Sequence, residues 1–267
     1  MAEKNVQGVC KLCLTHQNLQ KSHYLPKALY RLCRQDNRNP IIATATVVDF
    51  SQKQMSKYLL CKECEDLLNK HGEKYTLEMI HRGDRFSLLE RMKLATPIGQ
   101  SGNVPMFSGL QLGIKTNKFG YFALSLAWRG AQGSWQTIVG QTTEVSLGQF
   151  EEPIRQYLHG NSGWPANIVV MATACTDFGS KEWITPPWLI PVPDEVAGGN
   201  FLRIELLVRG IWFWVLMGRI PEQIAAWCCV NSPQQIIFLR DCEDQLLLMN
   251  RHFLESAEDR TLAFRLH

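Results

Sequence analysis

Hydrophobic and polar positions divide this chain into a broken, polar first third and a longer, more apolar remainder. Residues 1–9 read as a polar lead-in and residues 14–20 as a small polar loop. Residues 22–25 are expected to be extended, because Pro26 disfavours helical geometry in the residue before it. Proline then suits the first turn of a helix over residues 27–34, with Leu29, Tyr30 and Cys33 on one face. The β-branched run IIATATVVDF, residues 41–50, predicts a strand. Residues 65–82 predict a helix weakened at Gly72, and residues 87–94 a short amphipathic helix ended by Pro97.

Residues 97–108 (PIGQSGNVPMFS) are rich in Gly, Pro and Ser, and place a boundary between a first unit, residues 1–96, and a second, residues 109–267. Within the second unit, residues 119–129 are apolar enough for a buried helix or a strand; a helix is the expectation. Ser146 and Gln149 have capping-box spacing for a helix through residue 159, with Phe150, Ile154 and Leu158 in step. Residues 168–174, 201–208 and 211–217 predict strands, the last two joined as a hairpin at Arg209-Gly210. Residues 184–193 hold too many prolines for an interior element, and residues 241–254 read as a closing helix. The fold class expected is α+β.

Composition changes this picture in two ways. Residues 1–100 hold 16 Lys/Arg against 10 Asp/Glu, whereas residues 101–267 hold 12 against 15, so the basic excess lies with the first unit. That leans toward an anionic partner such as nucleic acid, although an ordinary solvated surface has the same charge. The most apolar window, residues 201–217, carries Arg203, Glu205 and Arg209, and residues 1–8 lack the apolar core of a secretory signal. The expectation is a cytoplasmic protein with no membrane segment, in which the nine cysteines are reduced.

Candidate chemistry concentrates between residues 10 and 71. Cys10-Lys11-Leu12-Cys13 and Cys61-Lys62-Glu63-Cys64 are two CxxC pairs, enough thiolates for a closed tetrahedral Zn²⁺ shell, which is structural because no position is left for water. Between them stands His23, whose imidazole titrates near neutrality and can take a proton from water, or more simply cap a turn of a small zinc domain. Lys27, Arg31 and Arg34 fall on neighbouring helical turns and suit phosphate contacts, or a plain surface. Trp128, Arg129, Trp212, Phe213 and Trp214 lie in apolar runs and read as core. Cys33, Cys175, Cys228, Cys229 and Cys242 lack metal spacing and read as buried apolar side chains.

Ser22-His23-Tyr24-Leu25-Pro26 with Leu59-Leu60-Cys61-Lys62-Glu63-Cys64-Glu65 resembles the HNH, or ββα-metal, endonucleases that carry a CxxC…CxxC zinc staple. Ser22-His23…Pro26-Lys27, Leu59-Leu60-Cys61…Cys64-Glu65 and Leu124-Ser125…Trp128-Arg129 are similar to a bacterial branch of that family, whose members look like candidates for phage or mobile-element defence. The resemblance implies a zinc-stapled ββα-metal finger in the first unit, followed by a mixed α+β part of unknown role. It implies phosphodiester hydrolysis of DNA, with His23 as general base and a catalytic Mg²⁺ or Mn²⁺. The chain departs from the pattern at Ser22, Ser56 and Glu65, where the family has Asp, Asn and His; Glu65, His71 and Glu73 are the replacement ligands to consider. Two other classes remain open: a catalytically silent zinc-containing module that binds nucleic acid or protein, and an accessory subunit that meets a protein partner through the second unit.

Overall fold

The computed structural model describes residues 5–32, 41–43, 48–50, 54–82, 85–136, 142–143, 145–176, 188–190 and 200–243. Its first part is a small antiparallel sheet in which β2 (His16–His23) lies between β1 (Val6–Val9) and a later strand, β5 (Ser56–Cys61). The register sets Val9 opposite His16 in one pair, and Leu19 opposite Cys61 and His23 opposite Ser56 in the other. Residues 6–9 and 16–20, expected to be lead-in and loop, are therefore strand. Their polarity misleads because only Leu19 and Ser22 of β2 are buried, and a short sheet with one wet face shows little alternation. A bulge at Gln20/Lys21 re-aims the end of β2. Helix α1 (Lys27–Leu32) follows Pro26 as expected; Cys33 and Arg34 lie outside the described residues. The run 41–50 is not one strand: β3 (Ile41–Ala43) and β4 (Val48–Phe50) pair with each other.

After β5 the chain forms one rod: α2 (Lys62–Leu68), a π-helical turn Asn69–Glu73, and α3 (Lys74–Met79). Gly72, expected as a weak point, is the site of closest approach to a second helix, α5 (Thr116–Ala131): a Cβ there would lie 2.9 Å from the Phe122 backbone nitrogen. A two-residue ladder, β6 (His81–Arg82) with β7 (Arg85–Phe86), leads to α4 (Ser87–Lys93), which buries Leu88, Leu89 and Met92. The expected boundary is not irregular linker. Residues 99–108 fold as a hairpin, β8 (Gly99–Ser101) and β9 (Val104–Ser108), and β9 pairs with the last strand of the main sheet.

Among the described residues, that main sheet has seven strands in the order β13-β14-β15-β12-β16-β9-β8. It is built from β12 (Ile168–Cys175), β13 (Trp188–Ile190), β14 (Asn200–Val208), β15 (Ile211–Arg219) and β16 (Ile236–Arg240) with the β8–β9 hairpin, and only β12 and β16 run parallel. β14 and β15 turn through Arg209 and Gly210, both at positive φ (44° and 88°), the geometry of a two-residue hairpin that matches strand twist. Helix α5 packs on one face, with Phe119 and Phe122 at 5.7 and 6.0 Å from the Phe213 ring. Two short strands, β10 (Trp135–Gln136) and β11 (Thr142–Thr143), follow α5. Helix α6 (Glu151–His159) comes next and, later, the single turn α7 (Glu222–Ala225).

The capping box is not formed. A 3₁₀ turn, Gly148–Phe150, precedes α6, Ser146 is exposed, and Glu151 and Glu152 supply negative charge to the first turn instead. A second correction concerns sulfur: Cys175 and Cys242 are joined as a disulfide, Cα to Cα 5.6 Å, against Leu207 and Trp212. Residues 67 apart carry no spacing signal, so pairing waits on the fold that brings β12 to the segment after β16. The main apolar core runs unbroken from Cys10, Leu12 and Leu60 through α5 to Val215 and Ile237, so both parts of the chain are packed on shared side chains. The closing helix expected at residues 241–254 lies almost wholly outside the described residues, as does most of 184–193, where β13 forms the sheet edge. No helix among the described residues is long and apolar enough to cross a membrane.

Candidate metal centre

The turn between β1 and β2 is shaped to aim two thiols at one point. Leu14 takes positive φ (61°), its N–H donates to the Cys10 carbonyl at 2.8 Å, and the Cys10 N–H donates to Thr15 O at 2.9 Å. Lys11 N–H donates to Leu59 O (3.1 Å), which sews this knuckle to β5. The second pair arises where β5 ends and α2 begins, with Cys61 as the last strand residue and Cys64 in the first helical turn. The Cys61 N–H points at the Cys10 sulfur, 3.4 Å away. From α6, Arg155 Nη1 donates to Leu12 O at 2.5 Å while its other nitrogens grip Glu152, bracing the first knuckle from behind.

The sulfurs of Cys10, Cys13, Cys61 and Cys64 all lie within 4.8 Å of one another, and Cys13 and Cys61 are 4.0 Å apart. A tetrahedron with Zn–S bonds of about 2.3 Å has edges of about 3.8 Å. The set therefore fits a metal ion such as zinc once the sulfurs draw together by up to about 1 Å. Its protonation points the same way. Hydrogen bonding from Cys64, helped by backbone N–H groups, pulls the Cys10 thiol down to about 4. Burial pushes Cys61 up to about 12, and donation to Cys10 raises Cys64. A divalent ion at the cluster would supply the positive charge that favours thiolates over thiols at all of its sulfur ligands. Cys10, Cys61 and Cys64 are buried and Cys13 is partly so, which would shield an ion held there from most of the solvent.

His23 ends β2, at the far end of the β2–β5 ladder from Cys61. It is half-buried, and burial, then the charge of Lys27, holds its imidazole below the ordinary value, with Glu65 pulling the other way. Ser22 points inward: its hydroxyl accepts the Leu60 N–H at 3.2 Å and meets Gln20 O at 3.5 Å, satisfying the backbone that the bulge leaves open. Ser56 stands directly across from His23 in the β2–β5 register.

Glu65 leaves α2 toward Arg129, with Oε2 3.6 Å from Nη2. The same Nη2 donates to Glu73 Oε1 at 2.7 Å. Arg129 is 2% exposed and Glu73 is buried, and that burial pushes the Glu73 carboxyl up against the pull of Arg129. Two atoms of this cluster are buried without a hydrogen-bond partner, Glu65 Oε1 and Arg129 Nε.

The residues singled out from sequence thus separate. His23 and Glu65 share one electrostatic neighbourhood with Arg129, whereas His71 lies against the Tyr121 ring (5.6 Å) among Lys70 and Lys118. Lys27 and Arg31 are exposed on α1. Sequence reading treated Arg129 as core beside Trp128. The overlooked signal is a guanidinium closing an apolar helix, since a buried charge requires partners. For a hard divalent ion the fit rests on Glu65 alone: its Oε1 is buried and unpartnered, while the Ser22 hydroxyl is committed to the backbone. Among the described residues the four cysteines are the one cluster of three or more candidate ligands, so Glu65 stands alone as a candidate for a hard ion. Comparison of the chain with protein-family models, with curated proteins and with solved structures finds no match.

Proposed function

We propose that this chain is a metal-dependent nuclease of the HNH type that hydrolyses phosphodiester bonds of DNA from its zinc-stapled β2–β5–α2 unit. The observation that carries the reading is a half-buried His23 that feels the charge of Glu65, whose Oε1 is buried without a hydrogen-bond partner. His23 is neutral at pH 7 and accepts the proton of an attacking water as the new O–P bond forms and the ester P–O bond breaks. Burial around the imidazole limits competing solvent, and the exposed cations of Lys27 and Arg31 at the same end of the unit suit flanking phosphates. Glu65 would hold a Mg²⁺ or Mn²⁺ ion, which supplies charge stabilisation at the scissile phosphate. Zinc keeps β1, β2, β5 and α2 in register and takes no part in the chemistry.

One observation favours a second reading. Ser22, at the family's metal-binding Asp, is spent on Leu60 N–H, which suits a finger that binds nucleic acid or protein without cutting. Purified protein with verified zinc content, incubated with supercoiled plasmid or RNA in Mg²⁺ or Mn²⁺, separates the two. Plasmid nicking or linearisation that disappears in His23→Ala and Glu65→Ala is the expected result. Binding without cleavage, or undiminished cleavage by His23→Ala, rejects hydrolysis and leaves the binding module.

A further inference from the structure

A guanidinium that is 2% exposed stands one helical turn from the wholly buried Ser125 and Leu126, in a helix whose other inward groups are uncharged and mostly apolar. Water cannot solvate it, so its surroundings must fix where it points. Glu73 does so from the π-helical turn, at 2.7 Å. The root of the side chain is fixed too, because Trp135 Nε1 donates to the Arg129 carbonyl at 2.9 Å. Trp135 is stacked on Tyr24 (4.9 Å), the neighbour of His23, and Lys57 lies over the same indole at 4.1 Å. Gly130 allows this contact: a Cβ there would come within 2.8 Å of the Tyr24 hydroxyl. The end of β2 is thereby clamped to the C-terminal end of α5, and the Glu65 carboxylate is drawn to Arg129 at that same end.

The cluster is not closed on itself. Glu73 alone would neutralise Arg129, yet Arg129 also reaches Glu65 at 3.6 Å, and Arg129 Nε remains unpartnered within the core. A purely structural ion pair needs neither the third member nor an unsatisfied donor. We infer that Arg129, with Glu73 behind it, is the positioning residue of the His23 site: its guanidinium fixes the Glu65 carboxylate beside the imidazole and leaves one carboxylate oxygen free. This rests on the nuclease reading of the site and adds to it two residues separated by 56 positions.

The test has a kinetic arm and a spectroscopic arm, both on the full chain with zinc content checked. In the kinetic arm, R129Q lowers kcat on plasmid by about a hundred-fold with KM little changed, and R129K recovers about ten-fold of that loss. R129Q cutting at the wild-type rate, or R129K no better than a folded R129Q, overturns the inference. Because R129Q leaves Glu73 buried without its cation and can fail to fold, the spectroscopic arm leaves Arg129 in place. In NMR spectra at fixed pH, E65Q moves both the Arg129 guanidinium resonances and the His23 ring resonances, and E73Q moves the Arg129 set. Signals of His23 or Arg129 that ignore E65Q reject the placement, whether or not the wild type cuts. Coupled signals in a protein that never cuts reject hydrolysis alone and leave the placement standing.

Discussion

Replacing Cys61 by Ser opens the metal centre at its most consequential point. Cys61 is buried, its sulfur stands 4.0 Å from that of Cys13, and the two residues are 48 apart in sequence. A metal joining them acts on the unfolded chain as a cross-link, and closing a loop of that length costs about 4 kcal/mol of chain entropy, which zinc supplies in the folded state. A serine hydroxyl is a poor zinc ligand, and with Cys61 gone three sulfurs remain around the ion. Losing the cross-link in a chain of this size lowers the midpoint of thermal unfolding by on the order of 10 °C. The assay is zinc per chain by elemental analysis, with thermal melts of wild type and Cys61→Ser, and Cys228→Ser as a buried thiol outside the cluster. Zinc near one per chain in wild type and Cys228→Ser, and near zero with a lowered midpoint in Cys61→Ser, is expected. Full zinc and an unchanged midpoint in Cys61→Ser refute the metal centre.

Gly72→Ala places a methyl 2.9 Å from the Phe122 nitrogen and 3.0 Å from its Cα, so the two helices must part; chemical denaturation reports a loss of about 1–3 kcal/mol, and an unchanged midpoint would show that the contact gives way. His23 is held below its ordinary value of 6.5, so as pH falls the unfolded chain takes up the proton first; the stability tied to this group is complete above that value and is lost as pH drops through it. Melting midpoints therefore fall more steeply in wild type than in His23→Gln between about pH 7.5 and 5, and parallel slopes contradict this. For the same reason, the acid limb of any cleavage profile lies below the ordinary histidine range, and Lys27→Ala moves it up. Cys242→Ser, which frees a cross-link spanning 67 residues, costs about 4 kcal/mol by chain entropy under oxidising conditions and much less in reductant; equal loss in both conditions assigns the effect to packing instead.

Legibility in the sequence followed the range of the interaction. The CxxC pairs are read directly because each places two sulfurs on one ion through a single turn, and the structure gathers all four within 4.8 Å. Helix α5 was legible as a buried apolar run, read as a helix although its pattern also allows a strand, and the β14–β15 hairpin as two apolar runs flanking Arg209-Gly210. The strand at residues 16–20 was not, since its outward face is solvated and its one buried apolar side chain, Leu19, leaves no period. The hairpin at 99–108 was missed because Gly and Pro mark a strand edge as readily as a linker, and its partner, β16, comes more than a hundred residues later.

By itself, the sequence determined the chemistry available: four soft sulfur donors at metal spacing, an imidazole before a proline turn, and enough apolar length for a mixed α and β core. Local geometry suffices for those, since they depend on residues a turn apart. Only tertiary structure decided which charges meet. Ser22 turned inward to serve the backbone of its own bulge, His71 went to Tyr121, and Arg129 crossed from α5 to hold Glu73 and approach Glu65. A buried charge must find its partners wherever packing places them, and that choice is made by the whole fold.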